Sequence, residues 1–350
     1  MNKTTYWGFS LFLIVALAIP GHAQQPQAKS KAEYDAYIAF YNETNPAKKA
    51  ELGEKFLAEN KASDFVSDSY TLLIRAYTQA QNWAKVMEVA ERFATAIPNA
   101  DATRRVFMYS NAMAAAQQAN SFEKIIEYGD KVLGVAPNDL NAQLTLSTMI
   151  PERLPQDEAG KTAALTKAFD LAGKALGQVQ QIFSQPKPAN FTDAQWSTQK
   201  ADLEGQLHST MGFVHLNRVE YEKALGEYEL ALKATPKDAV SRFRLGLAFQ
   251  YLASDASKQL VAAVETENKA KVERVDQSVL DELVAKREAV ETDVRGKRDR
   301  AIDELATAVA IGGVVTQPAR DQLERLYKSK NNDSMEGLDQ LIAQKKTLLQ

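Results

Sequence analysis

Between residues 205 and 246 the chain repeats a spacing that few folds can satisfy. Gly212 is followed twelve residues later by Ala224, then by Tyr228, Ala231 and Pro236 at steps of four, three and five. Gly246 restarts the pattern 34 residues after Gly212, with Leu245 before it where Met211 stood. Residues with little or no side chain at these places let two antiparallel helices come close where they cross. Tyr221, Leu225 and Tyr228 fill the flanks, and Pro236 ends the second helix and turns the chain towards the next pair.

The same grammar recurs more loosely along the chain. In 67–100, Tyr70, Ile74, Tyr77, Trp83, Ala90, Phe93 and Pro98 hold corresponding places, with Val86 where the first alanine is expected. In 106–139 they are Tyr109, Met113, Ala116, Phe122, Val132 and Pro137, with Ile125 at the alanine place and Gly129 at the ring place. A further unit is expected over 139–178, interrupted by a loop at 151–155. A first unit is expected over 31–62, and a last helix pair over 318–346. The pattern resembles the tetratricopeptide repeat, a 34-residue helix–turn–helix unit. The resemblance implies an all-α fold, an alpha-alpha superhelix in which weak end units act as caps. No strand is expected.

Two stretches break the pattern. Residues 186–194 read as a linker, with Asp193 as the expected N-cap of a helix beginning near Gln195. Residues 255–297 are an insertion rich in Lys, Arg, Asp and Glu. They carry Val261, Val264, Val272, Val275, Val279, Leu283, Val290 and Val294 mostly three or four apart, a helical stripe. Asp276-Gln277-Ser278 divides this into a helical hairpin, or the stretch is one long helix. The interrupted unit resumes at Ala301, Leu305 and Ala308. The expected organisation is thus a leader at 1–23, repeats at 24–185, the linker, repeats at 195–254, the insertion, and a completing repeat with capping helices at 298–350.

The leader reading rests on a basic start, an apolar run over 7–19, a break at Pro20-Gly21 and small residues at Gly21 and Ala23. About 13 apolar residues fall short of the ~20 needed to span a bilayer. Cleavage after Ala23 and release into the periplasm or outside the cell are expected, with no membrane span afterwards. The absence of cysteine removes disulfides, thiolate metal sites, cysteine nucleophiles and acyl anchors. Lys and Arg total 42 and Asp and Glu 45, for a net charge of −3. A chain so balanced lacks the basic face of a nucleic-acid binder, and none is expected as a partner.

No phosphate-binding glycine loop, nucleophile elbow or His-Glu-x-x-His motif is present. His208 and His215 share a helix face with Glu204. Their separation of ~10 Å along the axis is too large for one tetrahedral ion, so packing is the expected role. No metal, cofactor or enzymatic activity is expected. What remains is recognition. The resemblance implies a concave groove lined by first helices, and its lining positions fall on Arg75 and Gln79, Gln117, Phe213 and Asn217, and Phe243 and Tyr251. Its carboxylate clamp of Lys and Asn is missing, since those places hold Thr71 and Arg75, Ser110 and Ala114, Ser209 and Phe213, Phe243 and Leu247. The expected function is a non-enzymatic scaffold in the cell envelope that holds a protein or peptide. The rivals are self-assembly of homo-oligomers through the insertion, and a small-ligand pocket at 186–193.

Overall fold

A residue forced into the left-handed region shows how the hairpins are closed. In the computed structural model, which describes residues 27–349, Gln81, Asn120 and Val219 have φ of 54°, 52° and 62°. Each ends the turn between the two helices of a repeat, one residue before the cap of the second helix. Gln81 joins α3 (Val66–Gln79) to α4 (Trp83–Ala96), and Asn120 joins α5 (Ala102–Gln118) to α6 (Phe122–Val135). Val219 joins α9 (Asp193–Asn217) to α10 (Tyr221–Ala234). The joint between repeats is equally uniform. Ile97, Ala136 and Thr235 each precede a proline, which excludes further helix, and share φ near −130° (−132°, −131°, −128°). Asp101 and Asp238 then cap α5 and α11 (Ala239–Glu273) by accepting backbone N–H bonds from Arg104 and Ser241.

The remaining elements are α1 (Lys31–Asn42), α2 (Pro46–Glu59), α7 (Leu140–Met149), a 3-10 turn (Ile150–Glu152), α8 (Glu158–Ser184), α12 (Gln277–Ile311), α13 (Thr316–Lys330) and α14 (Leu338–Leu348). No strand occurs among the described residues. Helices pack chiefly on their sequence neighbours. The exceptions are first helix on first helix, as α3 on α5 and α9 on α11, and the contact of α12 with α14. This is the stacking of an all-α solenoid.

Close approach is made where the spacing requires it. A Cβ built on Gly212 would lie 2.8 Å from the Tyr228 ring, and one on Gly246 would lie 2.8 Å from Leu305. Leu305 therefore does for the interrupted repeat what Tyr228 does for the one before it, and Ala301 and Ala308 beside it are fully buried. Where Gly129 replaces the ring, Leu146 of α7 moves in, 2.6 Å from a built Cβ.

The described residues form two compact units, 27–149 and 150–349. In the first, α1 to α7 follow one another around a core that includes Phe40, Phe56, Leu73, Ile74, Phe93, Met108 and Tyr128. In the second, α8 packs on α9 across residues 186–191, and α13 and α14 pack on α12 around Leu305, Leu323 and Leu338. The unit expected over 139–178 divides accordingly: α7 packs on α6, and α8 on α9. The cap of α9 is Thr192, not Asp193. Its hydroxyl accepts from Gln195 N–H while Gln195 Oε1 accepts from Thr192 N–H, a reciprocal box that starts the helix one residue earlier.

The insertion is the hairpin form. It is made by extending the repeat's own helices: α11 and α12 each run 35 residues, about 50 Å. The turn lies at Arg274–Asp276, with Arg274 left-handed. Ala256, Leu260, Ala263, Glu267 and Ala270 alternate steps of four and three along α11. Leu280, Val284, Arg287, Glu291, Val294 and Arg298 do the same along α12. This is the seam of an antiparallel coiled coil. The buried Glu267 carboxylate accepts from Arg287 Nε at 2.8 Å and Lys271 Nζ at 2.5 Å, and the Lys271 ammonium above all holds its pKa below the ordinary carboxylate range.

Val219 is β-branched and strained at φ 62°, whereas Asn120 occupies the same turn position at ease. Val219→Asn raises the unfolding free energy by about 1 kcal/mol. Gly212→Ala lowers it by about 2 kcal/mol, because the buried Tyr228 ring cannot retreat and overpacking exceeds the gain in helix propensity. Chemical denaturation of the two variants checks both signs.

Candidate protein-binding face

In the second unit, the row of first helices offers α9 and α11. Because Gly212 fixes α9 against Tyr228, the next residue, Phe213, is turned off that contact and lies half-buried beneath α11. The Arg244 guanidinium carbon stands 3.7 Å from its ring centroid, and Arg244 Nη2 donates to Glu152 Oε1 at 2.7 Å. A cation over a ring and a carboxylate at its edge hold Arg244 in one place. One turn on, Asn217 Nδ2 donates to the Phe213 carbonyl at 2.8 Å, so this amide is engaged by its own helix. Tyr251, two turns beyond Arg244, stacks on Tyr221 with centroids 5.0 Å apart and remains 42% exposed.

Phe243 takes the other direction. It packs against Ile302, Leu305 and their neighbours, and so serves the core of the interrupted repeat. Ser209, a lining position by the repeat rule, is buried and bonds Ser241 Oγ at 2.8 Å, tying α9 to α11. The face of this unit thus keeps Phe213, Asn217 and Tyr251 and gains Arg244, Glu152 and Tyr221.

In the first unit the row is polar. Arg75 is exposed, with its guanidinium 5.3 Å from the Phe107 ring, and it forms no ion pair among the described residues. Gln79, one turn on, is exposed, and Gln117 Nε2 reaches Thr145 Oγ1 at 3.4 Å. Arg104, by contrast, is held by Asp68 Oδ1 at 2.9 Å and Ser67 Oγ at 2.6 Å.

The two histidines are engaged separately. His208 Nδ1 lies 2.7 Å from Glu227 Oε2, and His215 Nδ1 lies 2.6 Å from Glu220 Oε2. Glu220 sits below the ordinary carboxylate range because Lys223 and then His215 bond it. The buried His215 ring also meets Phe169 edge-on at 5.1 Å. Both imidazoles therefore join helices of one stack. Residues 186–191 form an aromatic-pinned loop, with Phe191 and Phe183 against Trp196 at 5.4 and 4.2 Å. Two shallow depressions among the described residues lie elsewhere, one of about 310 Å³ on the α11–α12 arm and one of about 350 Å³ between α12, α13 and α14.

Sequence reasoning missed the Arg244–Glu152 pair because its members are 92 residues apart. Tyr221 was visible as a packing residue, but its stacking on Tyr251 depends on the twist between neighbouring hairpins.

The chain matches no protein-family model and no curated protein. Among solved structures it is similar to a tetratricopeptide repeat protein from Parabacteroides merdae, with 11% identity, 85% of this chain and 100% of that one covered, and a TM-score of 0.41. It is also similar to the Cut9–Hcn1 hetero-tetramer of the APC/C, with 15% identity, 85% and 56% covered, and a TM-score of 0.24. A third is the human IFIT1 dimer with PPP-AAAA, with 11% identity, 92% and 73% covered, and a TM-score of 0.29. With its own turns, prolines and glycine contacts recurring in register, the chain has an all-α fold built of tetratricopeptide-like helical hairpins.

Replacing Arg244 by Met keeps the stem over Phe213 but strands the half-buried Glu152 carboxylate. Arg244→Met lowers stability by about 1–2 kcal/mol, read from the urea unfolding midpoint.

Proposed function

We propose that this chain is an exported, non-enzymatic scaffold of the cell envelope that holds a protein or peptide on the first-helix rows of its units. The observation that carries the reading is what the fold leaves unused there. Phe243 and Ser209 are consumed by packing. Tyr251 is left almost half-exposed, and the exposed Arg75 forms no ion pair among the described residues. Aromatic rings and arginines are the side chains on which protein interfaces most often depend. The Phe213–Arg244–Glu152 assembly adds a rigid polar edge, so little ordering would be needed on binding. Export is supported by the basic start, the apolar run over 7–19 and the small residues before Gln24, all of which lie outside the described residues except as sequence.

The test is affinity capture from the native envelope with the tagged mature chain, against the double variant Phe213→Ala/Tyr251→Ala. A protein captured by the native chain and lost by the variant is expected. Equal capture by both, with the variant's helicity intact, refutes the use of this face.

A further inference from the structure

We propose that the α11–α12 arm is a self-association device that pairs with the same arm of a second copy of this chain about a two-fold axis. Among the described residues the arm packs chiefly as α11 on α12, and its inner seam is satisfied within the hairpin. On one outer face, Gln259, Ala262 and Thr266 of α11, with the seam residue Ala263 at their edge, and Leu283, Lys286 and Val290 of α12 line a depression of about 310 Å³. Val279, 43% exposed, extends the α12 row. Residues 279, 283, 286 and 290 step by four, three and four, which is a second heptad seam beside the inner one at 280, 284, 287 and 291. Across the depression, α11 presents Ala262, Ala263 and Thr266 beside Gln259, and the small residues leave room for another helix to settle between the two.

Charge selects the occupant. Lys258, Lys269, Lys271, Arg287, Arg295 and Lys297 all have carboxylate partners inside the arm. Lys286, at the centre of the outer seam, forms no ion pair among the described residues, and neither does Glu282, one turn earlier on α12. Two α12 helices laid antiparallel, with the axis between Leu283 and Lys286, set Val279 against Val290 of the second copy and Leu283 against the Lys286 stem. The same operation brings Glu282 beside Lys286 of the second copy, and Lys286 beside its Glu282. An isologous contact makes each such pair twice. An unrelated partner would have to supply both charges in this order, whereas a second copy supplies them by symmetry.

Sedimentation equilibrium of the mature chain over about 1–100 µM is expected to show a monomer–dimer equilibrium. Lys286→Glu and Glu282→Lys, with unchanged circular dichroism, each weaken the dimer by about tenfold or more, because like charges now face each other. Mixing the two variants in equal amounts restores association, since the added acid of one meets the added base of the other. Phe213→Ala/Tyr251→Ala leaves the dimer unchanged, which separates this proposal from the binding face. A strict monomer throughout the range overturns it. So does a dimer indifferent to both charge reversals, or a mixture that stays as weak as its components.

Discussion

The contact between the Gly212 backbone and the Tyr228 ring sets the distance at which a hairpin can close, and the second unit is arranged around that distance. With no Cβ in the way, α9 and α10 meet along their crossing rather than at their edges, and the ring is removed from solvent completely. The following residue then has no room on the inside, so Phe213 is delivered to the face where Arg244 lies over it. Gly246 and Leu305 repeat the contact, and their agreement shows that α12 is the second helix of an ordinary repeat. The long arm grows from that repeat and does not replace it.

Polar groups inside the stack act as registration marks. Ser209 and Ser241 join first helix to first helix through one buried hydroxyl pair. His215 with Glu220 closes the turn of its hairpin while its ring meets α8. In the arm, Glu267 with Arg287 fixes which layer of α11 faces which layer of α12, because a slip by one turn would take Arg287 away and leave the buried carboxylate with Lys271 of its own helix alone. An apolar seam of alanine and valine would permit such slips more readily, and the ion pair removes that freedom.

Much of the architecture was legible because it is written at short range. Glycine, alanine and proline act through sterics with neighbours fewer than about twenty residues away, so Gly212, Ala224 and Pro236 could be placed from spacing alone. The resumption at Ala301 was legible although it lies 55 residues after Gly246, because it restores an interrupted spacing. The boundary at 149/150 was not, because the choice of α7 for α6 and of α8 for α9 is decided by surface complementarity between whole helices. The face was legible in part. Tyr251 and Arg75 were reachable from repeat positions, but Phe243 and Ser209 occupy lining positions and are drawn inward, and Glu152 comes from a turn outside any repeat. Side-chain direction at a helix edge depends on the local twist, and spacing does not encode it.

Gly296 gives the arm an uneven mechanical character. From Gly246 to its end α11 contains neither glycine nor proline, so it behaves as a strut whose foot is clamped against Leu305. Its companion α12 has one bare position, with no neighbouring atom within 4 Å of where a side chain would be. A sideways load at the tip would therefore bend α12 near Gly296 while α11 transmits the thrust to its foot.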